Sequence, residues 1–399
     1  MKVVDFSVII VSYNVSALLD QAIEAVKRAV QGLSVEIWVV DNASPDDSVA
    51  MVQERHPDVH LVANADNPGF GRANNQAMKQ AKGMYFLILN PDTILQEDFL
   101  IVMKRFMETH PDCGAVGSMI LDPDGRFSPT CRRAFPRPSV ALWRIAGLSR
   151  LFPQSRIFGQ YNLTYLPEDQ ITEVDALSGS CMVVRKSAVL GNESGHHAAG
   201  LFDPSFFMYG EDLDWCYRIQ QAGWKIFYTP ETRVLHYKGE STDKNDLRYV
   251  RLFYGAMAVF MEKHFAGRYA RPLVGMLRLG VHIRAGIAAI SQFFRRKRPQ
   301  PPSPARQQVL FIGSNTERTR FESVAPADQW EVVAQLKDET PFSADSLPTG
   351  ITAVVLTDDE RPASAHFAWM TRLNHLTDTF YMWSSQHKRL LGPAEVIRF

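Results

Sequence analysis

Residues 84–92 read MYFLILNPD, an uninterrupted apolar run followed by a polar turn. Apolar runs of similar length recur along residues 6–121, and amphipathic helical patterns separate them. We expect strands at residues 6–12, 35–40, 59–63, 84–89 and 115–121, and helices at 15–30, 46–55, 72–82 and 97–109. Apolar strands that alternate with helices are typical of a mostly parallel sheet covered by helices on both faces. The sequence therefore predicts an α/β fold.

A second block continues this pattern after a long interruption. Residues 122–169 are rich in Pro, Arg and aromatic residues, which favours loops and a short helix. Long loops inside a compact domain usually serve binding. Strands are then expected at residues 181–184 and 225–228, with a helix that begins at Asp212.

The last part of the chain differs in composition. Residues 247–294 are helical in pattern, unusually apolar, and followed by the basic run RRKR and a proline-rich stretch. A small α/β module is then expected, with strands at residues 309–313, 330–336, 353–357 and 380–384 and a helix at 363–376. The predicted division is 1–240 for the main α/β domain, 241–298 for a helical segment, 299–306 for a proline-rich linker and 307–399 for an accessory domain.

Composition excludes several classes of protein. The 399 residues include 43 basic and 43 acidic side chains, so the net charge of zero argues against a nucleic-acid-binding protein. The four cysteines are widely spaced, which predicts reduced thiols rather than a zinc site or a disulfide framework. The first residues lack a signal-peptide pattern, and no stretch of 18 residues is free of charge. We therefore expect a cytoplasmic protein.

Polar residues follow several of the predicted strands. Asn14, Asp41 and Asn90 each stand where a strand ends, and ligands of open α/β sheets bind outside the carboxyl ends of the strands. A dinucleotide-binding fold would carry a G-x-G-x-x-G turn after the first strand, and SYN stands there instead. Each of these residues alone could also be a turn former or a helix N-cap.

Six motifs together resemble the inverting family 2 glycosyltransferases of GT-A fold. They are SVIIVSYN, VVDNAS, NPGFGRANNQAM, ILNPDT, GLFDPSFFMYGEDLDWCYRIQQAGWKIFYTP and HYKGES, in this order from Ser7 to Ser241. Within that family the chain is similar to the rhamnosyltransferase-like branch, over about residues 5–240. The resemblance implies that residues 1–240 form a catalytic domain that uses a nucleotide-sugar donor.

The resemblance also implies a set of donor-binding residues. Asp41 would hold the pyrimidine base, and it could at the same time form an Asx turn or cap the following helix. Gly69 and Arg72 open a helix whose N-terminus suits a diphosphate, although a structural turn would look similar. The full set implied is Ser12, Asn14, Asp41, Asn67, Gly69, Arg72, Asn74 and Asn90.

A divalent cation, Mg²⁺ or Mn²⁺, is implied at the NPD turn. Asp92 matches the last acidic residue of the family's D-x-D motif, and His236 matches a position that can complete the metal shell. Asn90 replaces the first acidic residue of that motif. The metal is therefore expected to be held weakly or to be needed less.

Three carboxylates in EDLD follow an aromatic run, FFMY. A charged first turn of a helix would account for them. In the family, however, the E-D pair presents the general base to the acceptor hydroxyl, which implies Asp212 as the base and Glu211 as the second candidate. Asp214 is expected to be structural, and residues 178–180 are expected to form the acceptor-side floor.

The function expected from these residues is inverting sugar transfer, with L-rhamnose from dTDP-L-rhamnose passed to a glycan or lipid-linked acceptor in cell-envelope polysaccharide synthesis. A UDP-hexose, UDP-N-acetylhexosamine or UDP-galactofuranose donor remains open, as does a non-catalytic sugar-nucleotide-binding or scaffold protein. The apolar stretch 271–294 and the basic residues 295–298 suit either a helix on the inner leaflet of a membrane or a helix packed on the catalytic domain.

Overall fold

The computed structural model describes residues 3–191, 197–237, 247–265, 275, 306–337, 347–358, 361–392 and 396–398. The first half of the main domain alternates strands and helices as expected. Its elements are β1 (Phe6–Ser12), α1 (Ser16–Ala29), β2 (Val35–Asp41), α2 (Ser48–Arg55), β3 (His60–Ala63), α3 (Phe70–Met78), β4 (Tyr85–Leu89), β5 (Thr93–Leu95), α4 (Phe99–Thr109) and β6 (Cys113–Leu121).

The second half of this domain contains shorter elements. They are a 3₁₀ turn (Pro129–Cys131), β7 (Arg132–Arg133), α5 (Pro138–Ile145), α6 (Leu148–Leu151), β8 (Thr172–Glu173), β9 (Ala176–Leu177), β10 (Cys181–Arg185), α7 (Lys186–Leu190), α8 (Glu211–Gln221), β11 (Lys225–His236) and α9 (Leu247–His264).

The main sheet has the strand order β3-β2-β1-β4-β10-β6-β11-β5, with β8 added to β11. Strands β3, β2, β1 and β4 are parallel, and their side chains are largely buried because helices cover both faces. Strand β10 runs antiparallel between β4 and β6, and β5 pairs antiparallel with the end of β11. The predicted α/β architecture is confirmed, with antiparallel strands added on the side of β10.

A second sheet follows near the end of the chain, in the order β13-β12-β14-β15-β16-β17. Its elements are β12 (Gln307–Ile312), α10 (Asn315–Val324), β13 (Trp330–Leu336), β14 (Ala353–Thr357), α11 (Ala363–Leu373), β15 (Phe380–Ser384), β16 (Arg389–Leu391) and β17 (Val396–Arg398). The first four of these strands are parallel, so the predicted small α/β module is also confirmed.

Helix α1 is covered on two sides. Leu19 and Ile23 pack in the core of the main sheet, whereas Leu18 belongs to an apolar cluster that includes Leu310 and Phe367 of the second sheet domain. The C-terminal domain therefore packs against α1 of the main domain through a second apolar cluster.

A buried carboxylate reinforces this contact. Asp20 is 1% exposed and pairs with Arg389 of the C-terminal domain at 2.9 Å, with Arg55, and with His56 at 3.0 Å. At the other end of the contact, the Glu97 carboxylate accepts the N-terminal amides of α11.

Two predictions concern residues outside this description. The segment 271–298 lies outside the described residues except for Gly275, and the proline-rich linker does so except for Arg306. Among the helices that are described, none combines the length and the apolarity needed to cross a membrane.

Candidate active site

The carboxyl ends of β1, β2 and β4 meet at one edge of the main sheet. Ser12 lies opposite Asp41 in the parallel register, and Asn90 follows directly after β4. Asp41 is almost fully buried, and its carboxylate accepts the backbone N–H of Ser44 at 2.8 Å and the Ser44 hydroxyl at 2.5 Å. Ser44 in turn accepts the backbone N–H of Asn14 at 2.8 Å. These residues form one connected network at the mouth of the sheet.

The predicted diphosphate loop is tied to another part of the protein. Gly69 has a φ of +88°, and a Cβ at this position would lie 2.4 Å from the Phe207 carbonyl oxygen. That oxygen accepts the backbone N–H of Phe70, the first residue of α3, at 3.1 Å. The glycine is therefore required by a close approach of the loop before α8. Whether the same turn also binds a diphosphate stays a prediction.

The other residues near this turn differ in exposure. The Asn67 side chain accepts the Gly69 N–H at 3.0 Å, and Arg72 is exposed and donates to the Pro204 carbonyl at 3.3 Å. Asn74 is fully buried and donates to the Phe70 carbonyl within its own helix. Its part in donor binding stays a prediction.

The predicted metal ligands come together although 144 positions separate them in the sequence (236 − 92). Strand β5 pairs antiparallel with β11 so that Thr93 lies opposite His236. This places His236 Nε2 3.2 Å from the Asp92 carboxylate and 3.4 Å from the Asn90 side-chain amide. His236 Nδ1 is buried without a hydrogen-bond partner among the described residues. The side chains of His236, Asp92 and Asn90 therefore meet, with the Asn90 amide nitrogen as the group nearest the imidazole.

This donor set fits a divalent cation that shares its shell with a ligand. No group of three or more His, Cys, Asp or Glu side chains suited to a metal occurs within the described ranges. Hard cations such as Mg²⁺ commonly take one or two protein carboxylates and complete their shell with phosphate oxygens and water. Asp92, His236 and the amide oxygen of Asn90 can supply such a partial shell.

Helix α8 presents two adjacent carboxylates in different environments. Glu211 is 7% exposed, and its Oε2 has no hydrogen-bond partner among the described residues. Burial, with the neighbouring charge of Asp212, raises the pKa of Glu211 to about 8. This environment therefore favours the protonated form of Glu211.

Asp212 is instead held by three donors. Its Oδ2 accepts Arg133 Nη2 at 2.5 Å and the Gly179 backbone N–H at 3.0 Å, and its Oδ1 accepts the Leu213 N–H at 2.7 Å. Burial alone would lower the pKa of Arg133, but the Asp212 carboxylate outweighs it and the pKa is raised. The Asp212 side chain keeps 13% of its surface exposed, so the carboxylate remains reachable.

The predicted acceptor floor lies against this carboxylate. A Cβ at Gly179 would lie 3.2 Å from the Asp212 Cβ, so only glycine allows this approach without displacement. The next residue, Ser180, accepts the backbone N–H of Asn90 at 2.8 Å. One short segment, residues 179–180, thus links the carboxylate of α8 to the NPD turn.

Asp214 has a structural role, as its position predicts. It is fully buried and bonded to Arg218, Lys263 and His264, which joins α8 to α9. Burial would raise the pKa of Asp214, but the hydrogen bonds from His264 and Lys263 and the charge of Arg218 lower it. Asp214 therefore does not share the cleft with Asp212.

Residues 7–188 match the family described as glycosyl transferase family 2. The chain carries a family 2 glycosyltransferase domain. Helix α8, His236 and the C-terminal sheet lie beyond the matched residues of this glycosyltransferase domain.

Several relatives of this glycosyltransferase are themselves glycosyltransferases. An N-acetylglucosaminyl-diphospho-decaprenol L-rhamnosyltransferase of Mycobacterium tuberculosis is 28% identical over 303 residues, which cover 73% of this chain and 95% of that protein. The rhamnosyltransferase WbbL of Escherichia coli is 30% identical over 42% of this chain and 61% of its own length. A solved structure of a mannosyltransferase from Pyrobaculum calidifontis matches 75% of this chain and 76% of its own, at 16% identity and a TM-score of 0.44.

Sequence reasoning missed one residue of the glycosyltransferase site, Arg133. It stands in an arginine-rich loop, and its partner Asp212 is 79 positions away. Charge pairing across such a distance leaves no local pattern. The absence of any acidic residue near Arg133 in the sequence was the one available signal that its partner is remote.

Proposed function

We propose that this protein is an inverting glycosyltransferase that transfers L-rhamnose from dTDP-L-rhamnose to a glycan or lipid-linked acceptor in cell-envelope polysaccharide synthesis. The observation that carries the proposal is the carboxylate of Asp212, held by Arg133 and Gly179, beside the Asn90–Asp92–His236 cluster. The rhamnosyltransferases of M. tuberculosis and E. coli among its relatives support the choice of sugar. A cytoplasmic location with contact to the inner membrane face would suit such an acceptor.

The donor nucleotide would lie at the ends of β1 and β2. A carboxylate offers about four lone-pair positions, and among the described residues Ser44 donates to two of those of Asp41. Asp41 can therefore also accept the ring N–H of a pyrimidine base. Ser12 and Asn14 adjoin it, and Asn67 and Arg72 lie on the next turn along the same edge. We assign the nucleotide to this group of residues.

The diphosphate would lie over the NPD turn. Asp92 and His236, with the amide oxygen of Asn90, would hold Mg²⁺ or Mn²⁺ there. When bound, the cation would neutralise the charge that develops on the departing nucleoside diphosphate. Asn90 lowers the negative charge of the ligand set, so we expect weaker metal binding than two acidic residues would give.

Asp212 would act as the general base. The acceptor hydroxyl gives its proton to the Asp212 carboxylate while its oxygen forms a bond to C1 of the sugar. The bond from C1 to the diphosphate oxygen breaks on the opposite face, and the nucleoside diphosphate leaves with the electron pair. Burial favours the protonated form of Glu211, which leaves Asp212 as the better base of the pair. General base catalysis contributes roughly 10²–10⁴-fold.

A donor panel tests this function. The full chain is incubated with dTDP-L-rhamnose, UDP-hexoses, UDP-N-acetylhexosamine and UDP-galactofuranose, each with and without Mn²⁺ and with a prenyl-diphosphate sugar as acceptor. We expect the wild type to transfer sugar from dTDP-L-rhamnose and the Asp212→Asn variant to transfer none. Transfer from a UDP-hexose alone would replace the sugar assignment. Donor binding with no transfer under any condition would favour the non-catalytic alternative.

A further inference from the structure

The loop that supplies Arg133 has an extreme charge distribution. Residues 125–167 contain seven arginines and no Asp or Glu. The arginines are Arg126, Arg132, Arg133, Arg137, Arg144, Arg150 and Arg156. In a chain with zero net charge, this segment is a concentrated positive region.

Part of this charge is used inside the protein and part is not. Arg132 is buried and donates to the carbonyls of Leu166 and Pro167, whereas Arg133 pairs with Asp212. Arg150 and Arg156 are exposed, and neither forms an ion pair with any residue that the structure describes. These two guanidinium groups therefore present their charge to the surroundings.

Large apolar side chains stand next to these two arginines. Leu151 is 70% exposed, Phe152 is 53% exposed and Ile157 is 58% exposed. Residues 148–158, which we name the Leu151 tip, thus combine exposed apolar side chains with two arginines that have no ionic partner among the described residues. Burying three such side chains in water-free surroundings is favourable, so their exposure indicates a surface that binds something.

The Leu151 tip has a defined conformation. The ring of Phe158 contacts Trp143 edge to face at 5.2 Å and Phe152 at 5.7 Å. The hydroxyl of Thr164 donates to the Pro153 carbonyl at 2.5 Å, and the N–H of Gly159 donates to the Ser155 carbonyl at 2.7 Å. The exposed side chains are therefore presented by a folded loop.

The same loop is anchored beside the proposed base. The backbone N–H of Ala134, which follows Arg133, donates to the Tyr161 carbonyl at 3.0 Å. The guanidinium of Arg144 lies 3.9 Å above the Tyr161 ring, and Tyr161 packs against Met257 of α9. A molecule bound at the tip would thus be held on the loop that also forms one side of the acceptor site.

We propose that the Leu151 tip inserts into the surface of an anionic membrane. Leu151, Phe152 and Ile157 enter the boundary between headgroups and acyl chains, and Arg150 and Arg156 contact the lipid phosphates. The tip carries apolar side chains beside cations and contains no carboxylate. This arrangement matches a membrane surface, in which acyl chains lie beneath a layer of anionic phosphates. The inference deepens the proposed function in one respect, because a lipid-linked acceptor would be presented at the same surface.

Vesicle flotation of the full chain tests this inference. The vesicles are phosphatidylcholine alone or phosphatidylcholine with phosphatidylglycerol. One variant, Leu151→Ser/Phe152→Ser/Ile157→Ser, removes the apolar side chains, and a second, Arg150→Gln/Arg156→Gln, removes the charges. The matched controls are Leu190→Ser, another exposed leucine, and Arg318→Gln/Arg320→Gln on α10.

The wild type and both controls are expected to float with the anionic vesicles. Each basic residue near an anionic surface raises the affinity about fivefold, so the double arginine variant should bind roughly tenfold or more weakly. The triple variant should lose binding to a similar extent and should keep the wild-type melting temperature. Binding of the arginine variant should equal that of the wild type in high salt, where the charges are screened.

Three results would overturn the inference. Either both tip variants float as well as the wild type, or flotation is lost only when the basic run at residues 295–298 is changed to glutamine. Wild-type protein that floats with neither type of vesicle would also overturn it and would leave the tip as a protein-docking surface. Sugar transfer is not part of this readout, so failure of the proposed donor in the panel would leave the flotation result intact.

Discussion

Arg133→Gln removes the cation that lies 2.5 Å from the Asp212 carboxylate. The two side chains are only 11% and 13% exposed, so water screens the pair poorly. Unit charges about 4 Å apart attract by about 4 kcal/mol at an effective dielectric constant near 20. Gly179 still holds the carboxylate in the variant. We therefore expect a loss of about 1.4–2.8 kcal/mol of transition-state stabilisation, which is about tenfold to a hundredfold in kcat/KM.

The assay is the pH dependence of sugar transfer. Arg133 opposes the raised pKa of Glu211, so its removal lets the Glu211–Asp212 pair bind a proton at higher pH. The acid limb of the profile should move to higher pH, and part of the lost rate should return in alkaline buffer. Arg133→Lys keeps the charge but cannot also reach the Leu177 carbonyl. It should therefore lose less activity than Arg133→Gln, and the acid limb of its pH profile should stay where it is in the wild type. A wild-type rate and an unmoved limb in Arg133→Gln would refute the assigned pairing.

Three further predictions concern Glu211, the Asp92–His236 pair and Asp20. Glu211 has a pKa raised from 4.5 to about 8, so the folded state is stabilised below pH 4.5 and loses this stability as the pH rises to about 8. Glu211→Gln should flatten the dependence of Tm on pH in this interval, and an unchanged slope would contradict the raised pKa. Mn²⁺ with nucleoside diphosphate should raise the Tm of the wild type. Asp92→Asn should abolish this rise, and His236→Ala should weaken it. A rise equal to that of the wild type in both variants would exclude the metal site. Asp20→Asn should lower the free energy of unfolding, measured in urea, by about 3–5 kcal/mol, because Arg389 then lacks its buried partner. A change below about 1 kcal/mol would show that the contact between the two domains does not depend on this pair.

The long strands of the fold were predictable because each is a continuous apolar run. The strand at residues 84–89 is β4, and the buried strands β1 and β2 also begin within a residue of expectation. Strand β5 was missed, because three residues are too short for a pattern. The second half of β11 was missed as well, because the register of this strand shifts between Thr229 and Arg233 and its alternation is broken there.

The candidate site was predictable only through the order of its motifs. Asp92 and His236 meet because β5 pairs with β11, and neither strand reveals that pairing in its sequence. Leu18 of α1 looked like an ordinary apolar residue of one helix. Leu18 is buried against a domain almost 300 residues later, and the spacing of apolar residues cannot predict such a tertiary contact.

The central claim is single displacement at C1 with Asp212 as the base, and the configuration of the new glycosidic bond tests it most directly. The product formed from dTDP-L-rhamnose is examined by NMR, through the coupling between C1 and its hydrogen. We predict that the anomeric configuration is opposite to that of the donor. A product with the donor's own configuration would contradict the account, since it would require a second displacement that this site does not provide for.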